Sequence, residues 1–131
     1  MPAEHVAIVT PQLGAALAAG RKRIESRFFT TRRVPFGRVA RHDTIHFKLS
    51  GGPVIGRCRV ARVVFYRDLT PGGIDAIRRR YNHAILAPRS YWQARRNSRY
   101  GVLIWLGPFS PRDCDLAVPR QFGSGWIVVS R

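Results

Sequence analysis

Between Gly20 and Arg27 the chain reads GRKRIESR, four cations and one carboxylate, Glu25, within eight residues. The acid is conspicuous, because Asp and Glu total 7 against 23 Lys and Arg in the whole sequence. A single acid in such a run has two uses. It can be one rung of an exposed charge ladder that lowers local repulsion. It can also belong to a polar site in which Lys22, Glu25 and Arg27 read or process a ligand. In an extended strand Arg23, Glu25 and Arg27 share one face and Lys22, Ile24 and Ser26 the other, a geometry that suits the ladder.

The remaining chemistry is dominated by cations. A net charge of +16 on 131 residues says little about fold but much about partners, since cations beside phosphates release condensed counterions. Of the cations, 21 are Arg, and Lys22 and Lys48 are the two lysines. Arg forks onto phosphate and stacks on bases better than Lys, although a GC-rich genome raises Arg content as well. Basic clusters occur at Arg32–Arg33, Arg78–Arg80 and Arg95–Arg96, interleaved with Phe28, Phe29, Tyr81, Tyr91, Trp92 and Tyr100. Aromatic rings beside cations are how single-stranded nucleic acid is commonly held. Charge runs more often only solvate a face, and Phe29, Tyr81 and one of Tyr91 and Trp92 are expected in the core. The candidate contacts to a nucleic acid are Arg32, Arg33, Lys48, Arg79, Trp92, Arg95 and Arg96, with Gly20, Lys22, Glu25 and Arg27 from the opening stretch.

Other site classes find less support. His42 and His46 can share a strand face near Cys58, but no CxxC, HxH or HExxH spacing is present, so no metal and no cofactor are expected. No GxSxG elbow points to a serine nucleophile. Cys58 and Cys114 lack metal or redox spacing and read as reduced thiols of a cytoplasmic protein. The apolar runs LGAALAAG and VLIWLG fall far short of the roughly 20 residues that span a bilayer, and the N-terminus lacks a basic leader, so no membrane partner is expected.

The elements that must carry these residues can be read in outline. Residues 1–131 are expected to form one domain, a monomer or weak homodimer. After a strand at His5–Val9, TPQLGAALAAGR has a cap at Thr10, Pro11 at the first helical position and a stop at Gly20, with Leu13 and Leu17 facing the core. A strand is expected over Lys22–Phe29, then a loop, TTRRVPFGRVARHD. TIHFKLS alternates, with Ile45, Phe47 and Leu49 opposite His46 and Lys48. SGGP turns the chain into a long strand, Val54–Tyr66, whose phase slips at Ala61–Arg62, the mark of a bulge that bends a sheet toward a barrel. TPGGIDAIRRRYNHAI predicts a helix capped by Thr70, with Ile74, Ile77, Tyr81 and Ile85 in one stripe and Arg78, Arg79 and Arg80 fanned over about 200°. SYWQARRNSRY predicts a helix opened by Ser90, and GVLIWLG and GWIVVSR two more strands. The class is α+β, a small barrel of about five to six strands with about three flanking helices.

Gly20, Lys22, Glu25 and Arg27 together reproduce GxKxxExR, and the chain thereby resembles the ASCH domain family of the PUA-like barrels. PFGRVARHDTIHFK, Pro35 to Lys48, resembles the family's stretch around GD-x-I-x-F, with His42 where that Gly is usual, and SGGPVIGRCRVARVVFY resembles its next strand pair. The resemblance implies a PUA-like barrel whose motif lines a basic groove for RNA or a modified nucleobase. Glu25 would then accept a hydrogen bond from a base while Lys22 and Arg27 meet phosphate or carbonyl oxygen. Some relatives are amidohydrolases that deacylate N4-acetylcytidine with a Lys, a Thr three residues later and a downstream Glu. Lys22 matches the Lys, but Glu25 stands at the Thr position and is the last Glu in the chain. A metal-dependent ribonuclease, described for another relative, needs acids that are scarce here. RNA binding is therefore the primary expectation. A small hydrolase of amidohydrolase or ribonuclease type, with Lys22 and Glu25 as the candidate catalytic groups, is the alternative.

Overall fold

The computed structural model describes residues 2–111 and 125–130. Its elements are β1 (Glu4–Val9), α1 (Pro11–Ala18), β2 (Ile24–Phe29), β3 (Thr44–Leu49), β4 (Val54–Tyr66), α2 (Pro71–Ile85), α3 (Arg89–Ala94), β5 (Tyr100–Leu106), β6 (Ser110–Pro111) and β7 (Trp126–Ser130). Local chemistry sets most boundaries. The Thr10 hydroxyl accepts from the Leu13 amide and Pro11 opens α1, while Gly20 adopts φ 76° just past its end. Thr70 caps α2 in the same way through the Gly73 amide. Leu86, at φ 61°, ends that helix in a left-handed turn.

The sheet runs β2-β5-β4-β3-β1-β7, with β6 beside β4. The β1–β3 pair is parallel, and the other pairs are antiparallel. β4 curls the sheet. Up to Arg59 it pairs with β3, and from Val60 onward it pairs with β5, with a register shift between Val60 and Arg62. This is the bulge expected at the phase slip, and it bends one strand into two half-sheets. The result is a half-barrel, α+β in class, with β2 at one edge of the strand order and β7 at the other.

Each face of the curled sheet has its own core. Inside the barrel lie Ala7, Val9, Leu17, Ile45, Phe47, Cys58, Val60, Val102, Ile104 and Trp126. Outside, Ile24, Phe28 and Leu103 pack beneath Ile74, Ile77, Ala84 and Ile85 of α2 and Trp92 of α3. β2 is thus covered on both sides, which is why Glu25 and Ser26 are buried along with Ile24. The exposed charge ladder does not occur, because Glu25 is only 3% exposed. Alternation along β2 also puts Phe28, rather than Phe29, in the core. Tyr81, expected inside, is half-buried at its edge.

The third helix differs from its expected form. It begins at Arg89, after Pro88, with no side-chain cap, and stops at Ala94. Ser90 is an ordinary exposed residue of its first turn. Packing locates α3: Trp92 lies 5.7 Å from the Phe28 ring, and the Tyr91 hydroxyl bonds the Ser26 hydroxyl at 2.8 Å. Cys58 is buried, and burial pushes its thiol up to about 12, so it is inert at neutral pH. Cys114 lies outside the described residues. Among the described residues no helix is long and apolar enough to cross a membrane.

Candidate nucleic-acid interface

The GRKRIESR stretch resolves into a clamp. Lys22 precedes β2, so strand alternation does not bind it, and its side chain turns inward to 3% exposure. Its ammonium donates to the carbonyls of Ile24 and Ile85, both at 2.8 Å, and lies 3.3 Å from Glu25 Oε1. Glu25 Oε1 also accepts from the Ser26 amide, and Oε2 receives Arg27 at 2.8 Å. Arg27 then donates to the Ile8 carbonyl at 2.9 Å and the Gly125 carbonyl at 3.3 Å. Those acceptors lie on β1 and just before β7, across the seam that backbone pairing leaves open beside β2. One carboxylate therefore holds two cations, and the cations tie β2 to the end of α2 and to the far edge of the barrel. Gly125 leaves room for Arg27, since a Cβ there would sit 2.7 Å from Arg27 Nη1 and the guanidinium would have to shift.

The electrostatics follow from burial. Desolvation alone would push the Glu25 carboxyl up, but Lys22 and Arg27 hold it below its ordinary value. Desolvation depresses the Lys22 ammonium, and Glu25 offsets this only in part. All three Lys22 protons are engaged, and both Glu25 oxygens already accept hydrogen bonds within the protein.

A second buried network lies behind the seam. The Trp126 indole donates to His5 Nδ1 at 3.0 Å, and His5 Nε2 lies 2.8 Å from Asp43 Oδ2. Because Nδ1 accepts, Nε2 carries the proton and donates its hydrogen bond to the carboxylate. Burial would raise the Asp43 carboxyl, but His5 and the amides of Ala3 and Ala40 bring it below its ordinary value. Arg27 sits 5.3 Å from the Trp126 ring centroid, which joins the two networks. The turn before β3 places His42 at φ 78°, a left-handed conformation that Gly adopts without strain.

Two open grooves flank α2. On one side a groove of about 450 Å³ is walled by Ile24, Tyr81, Ala84, Trp105 and Leu106, with Arg23 and Arg80 at its rim. The Tyr81 and Trp105 rings meet edge-to-face at 5.5 Å, and the exposed Arg62 guanidinium lies 4.6 Å over Trp105. Arg62 is directly across from Trp105 in the β4–β5 register, and the bulge at Ala61 is what brings it there. On the other side of α2, a groove of about 790 Å³ runs between α2 and α3 and is lined by Arg78, Arg89, Trp92, Gln93 and Arg96, among others. Trp92 is 5% exposed, yet its indole N–H has no hydrogen-bond partner. A buried donor left unpaired costs about 1–3 kcal/mol.

A comparison with solved structures decides the fold. The crystal structure of ASCH from Zymomonas mobilis matches 82% of this chain and 69% of its own, with TM-score 0.64 and 20% identity. The chain has the ASCH fold. Crystal structures of two point mutants of the Zymomonas mobilis ASCH protein match with the same TM-score, covering 71% and 70% of their chains. The hypothetical protein PH0355 matches at TM-score 0.54 and 18% identity, covering 79% of this chain and 96% of its own. No protein-family model matches the sequence, and neither does any curated protein.

Within this ASCH fold the sequence candidates separate into groups. Lys22, Glu25 and Arg27 come together inside, with Arg27, at 18% side-chain exposure, the member nearest the surface. Gly20 serves as the helix stop. Trp92 and Arg96 share the α2–α3 groove, and Arg95 stacks 3.8 Å over the adjacent Tyr91 ring. Arg79 projects from α2 with a side chain 68% exposed. Arg32 and Arg33 lie on a separate loop, over Phe36 and Phe29. Lys48 is on β3, bonded to its neighbour's carbonyl. His46 pairs with Glu4 at 2.7 Å, and His42 is exposed. Sequence reasoning named Arg78 and Arg80 only as part of a basic cluster and Arg23 only as a ladder residue, and it did not single out Arg62, Trp105, Arg89 or Gln93. Trp105 sits inside the apolar run GVLIWLG, where only its pairing with Arg62 distinguishes it from core.

Proposed function

We propose that this chain is a single-stranded RNA-binding domain that stacks bases at the Trp105 groove and meets phosphates with the arginines around α2. The Arg62–Trp105 pair carries this reading: an exposed guanidinium already lies 4.6 Å over an indole that lines a groove with cations at its rim. A base can extend that stack on the outer face of Arg62, and Arg23 and Arg80 stand where the flanking phosphates would run. The excess of cations over acids supplies the long-range attraction. The buried clamp acts as scaffold. It keeps β2 and α2 in register, and so the two walls of the groove. A hydrolase using Lys22 and Glu25 finds no support at these atoms, whose hydrogen bonds are spent on backbone and on each other.

Fluorescence anisotropy with labelled oligonucleotides tests the proposal. Single-stranded RNA should bind more tightly than a duplex of the same length, because duplex bases are not free to stack. Trp105→Leu should cost about 1–3 kcal/mol of single-strand affinity, with a thermal melt confirming the fold. Equal affinity for both forms, unaffected by Trp105→Leu, would sink the reading.

A further inference from the structure

The groove between α2 and α3 is rich in cationic hydrogen-bond donors. Arg89 and Arg96 line it, and neither side chain makes a hydrogen bond or ion pair among the described residues, although the Arg96 charge acts on Asp75 at longer range. Arg78 lines it as well. The one carboxylate in the described wall, Asp75, is already neutralised: Arg78 donates to it twice, at 3.0 and 2.7 Å, and Arg79 approaches to 3.5 Å. Asn82 is not available, since its amide is closed on the Ala87 backbone, a bond pair that shapes the turn between the two helices. What remains open to the groove is the Arg89 and Arg96 guanidiniums, which make no side-chain hydrogen bond, and the exposed Gln93 amide, beside a Trp92 ring whose buried indole N–H has no acceptor. An indole donates only, and guanidinium forks match tetrahedral oxyanions. At about 790 Å³ the groove is in the size range of small-ligand sites. Its walls are firm, because α3 is anchored to β2 by Tyr91 and Trp92.

The geometry points to a phosphoryl-binding site in the α2–α3 groove, held by Arg89 and Arg96 beside Trp92. The phosphoryl group belongs either to an RNA strand that crosses α2 from the Trp105 groove or to a free nucleotide. The first source rests on the RNA-binding reading above, and the site itself does not.

Amide and indole N–H resonances of the intact protein, titrated with inorganic phosphate at constant ionic strength, read the site directly. Resonances of Gln93 and of the Trp92 indole should shift along a saturating curve. Arg89→Gln with Arg96→Gln should weaken that curve at least tenfold while leaving the thermal melt unchanged. Linear, unsaturable shifts, or shifts equal in the double variant, would overturn the site. Single-stranded RNA and uridine 5′-monophosphate then identify the source. Displacement of phosphate by RNA, together with weaker RNA binding in the double variant, assigns the phosphoryl group to the strand. Displacement by the mononucleotide alone assigns it to a free nucleotide. Absence of RNA binding with phosphate binding intact would end the RNA reading and keep the site. Phosphate binding absent with RNA binding intact would do the reverse.

Discussion

Glu25 is the residue on which the clamp depends, because it compensates two cations, one of them fully enclosed. Breaking a buried pair by removing one partner leaves an uncompensated charge, at about 3–5 kcal/mol. Glu25→Gln should therefore lower the unfolding free energy by about that amount in urea titrations. A loss well under about 1 kcal/mol would be the signature of an exposed ladder rung instead. The same group sets an acid limit. Glu25 is held below an ordinary 4.5, and Asp43 below 3.8. Their folded-state pKa values are depressed, so the folded protein binds fewer protons than the unfolded chain as pH falls. The stability they contribute is complete above about 4.5 and is lost as pH drops through the folded values. Urea midpoints should be flat near neutrality and fall below that pH, with a shallower fall in Asp43→Asn. At this scale the sequence was half legible. The spacing of Lys22, Glu25 and Arg27 marked them as a set. Their burial was hidden, because it depends on acceptors 63, 19 and 98 residues away, at Ile85, Ile8 and Gly125.

Among the elements, α2 organises the surface. Its apolar stripe is fixed on the outer core, so its three consecutive arginines are distributed to one groove, to solvent and to the other groove. Ile77 is buried in that core, and Ile77→Ala should cost about 2–5 kcal/mol of stability. Arg79→Ala should change stability by less than about 0.5 kcal/mol while reducing RNA affinity. Thermal melts and anisotropy on the two variants separate the roles, and an exchange of phenotypes would refute the face assignment. The helix was readable because its cap, Pro and stripe agree. The bulge was readable from the phase slip, but its purpose was not, since only the β4–β5 register shows that it sets Arg62 opposite Trp105. α3 was misjudged in the other direction. Ser90 is a good cap by type, yet contacts from Phe28 and Ser26 to Trp92 and Tyr91 fix the helix in place and leave Ser90 inside it.

For the molecule as a whole, charge and architecture serve separate ends. The ASCH half-barrel is held by two cores and by an internal clamp that consumes its own charges. Most of the remaining arginines are exposed, and several stand over aromatic rings at the surface. Two of the few acids, Glu25 and Asp43, are buried in these networks, and the cations left at the surface give it a strongly positive field. The most direct test is the affinity of the intact protein for a labelled single-stranded RNA across a series of salt concentrations. The account predicts a straight fall of log affinity against log salt, about 0.7 for each phosphate neutralised. It also predicts a shallower slope once Arg62, Arg80, Arg89 and Arg96 are changed to Gln. An affinity that does not change with salt, or a slope that survives those four substitutions, would contradict it.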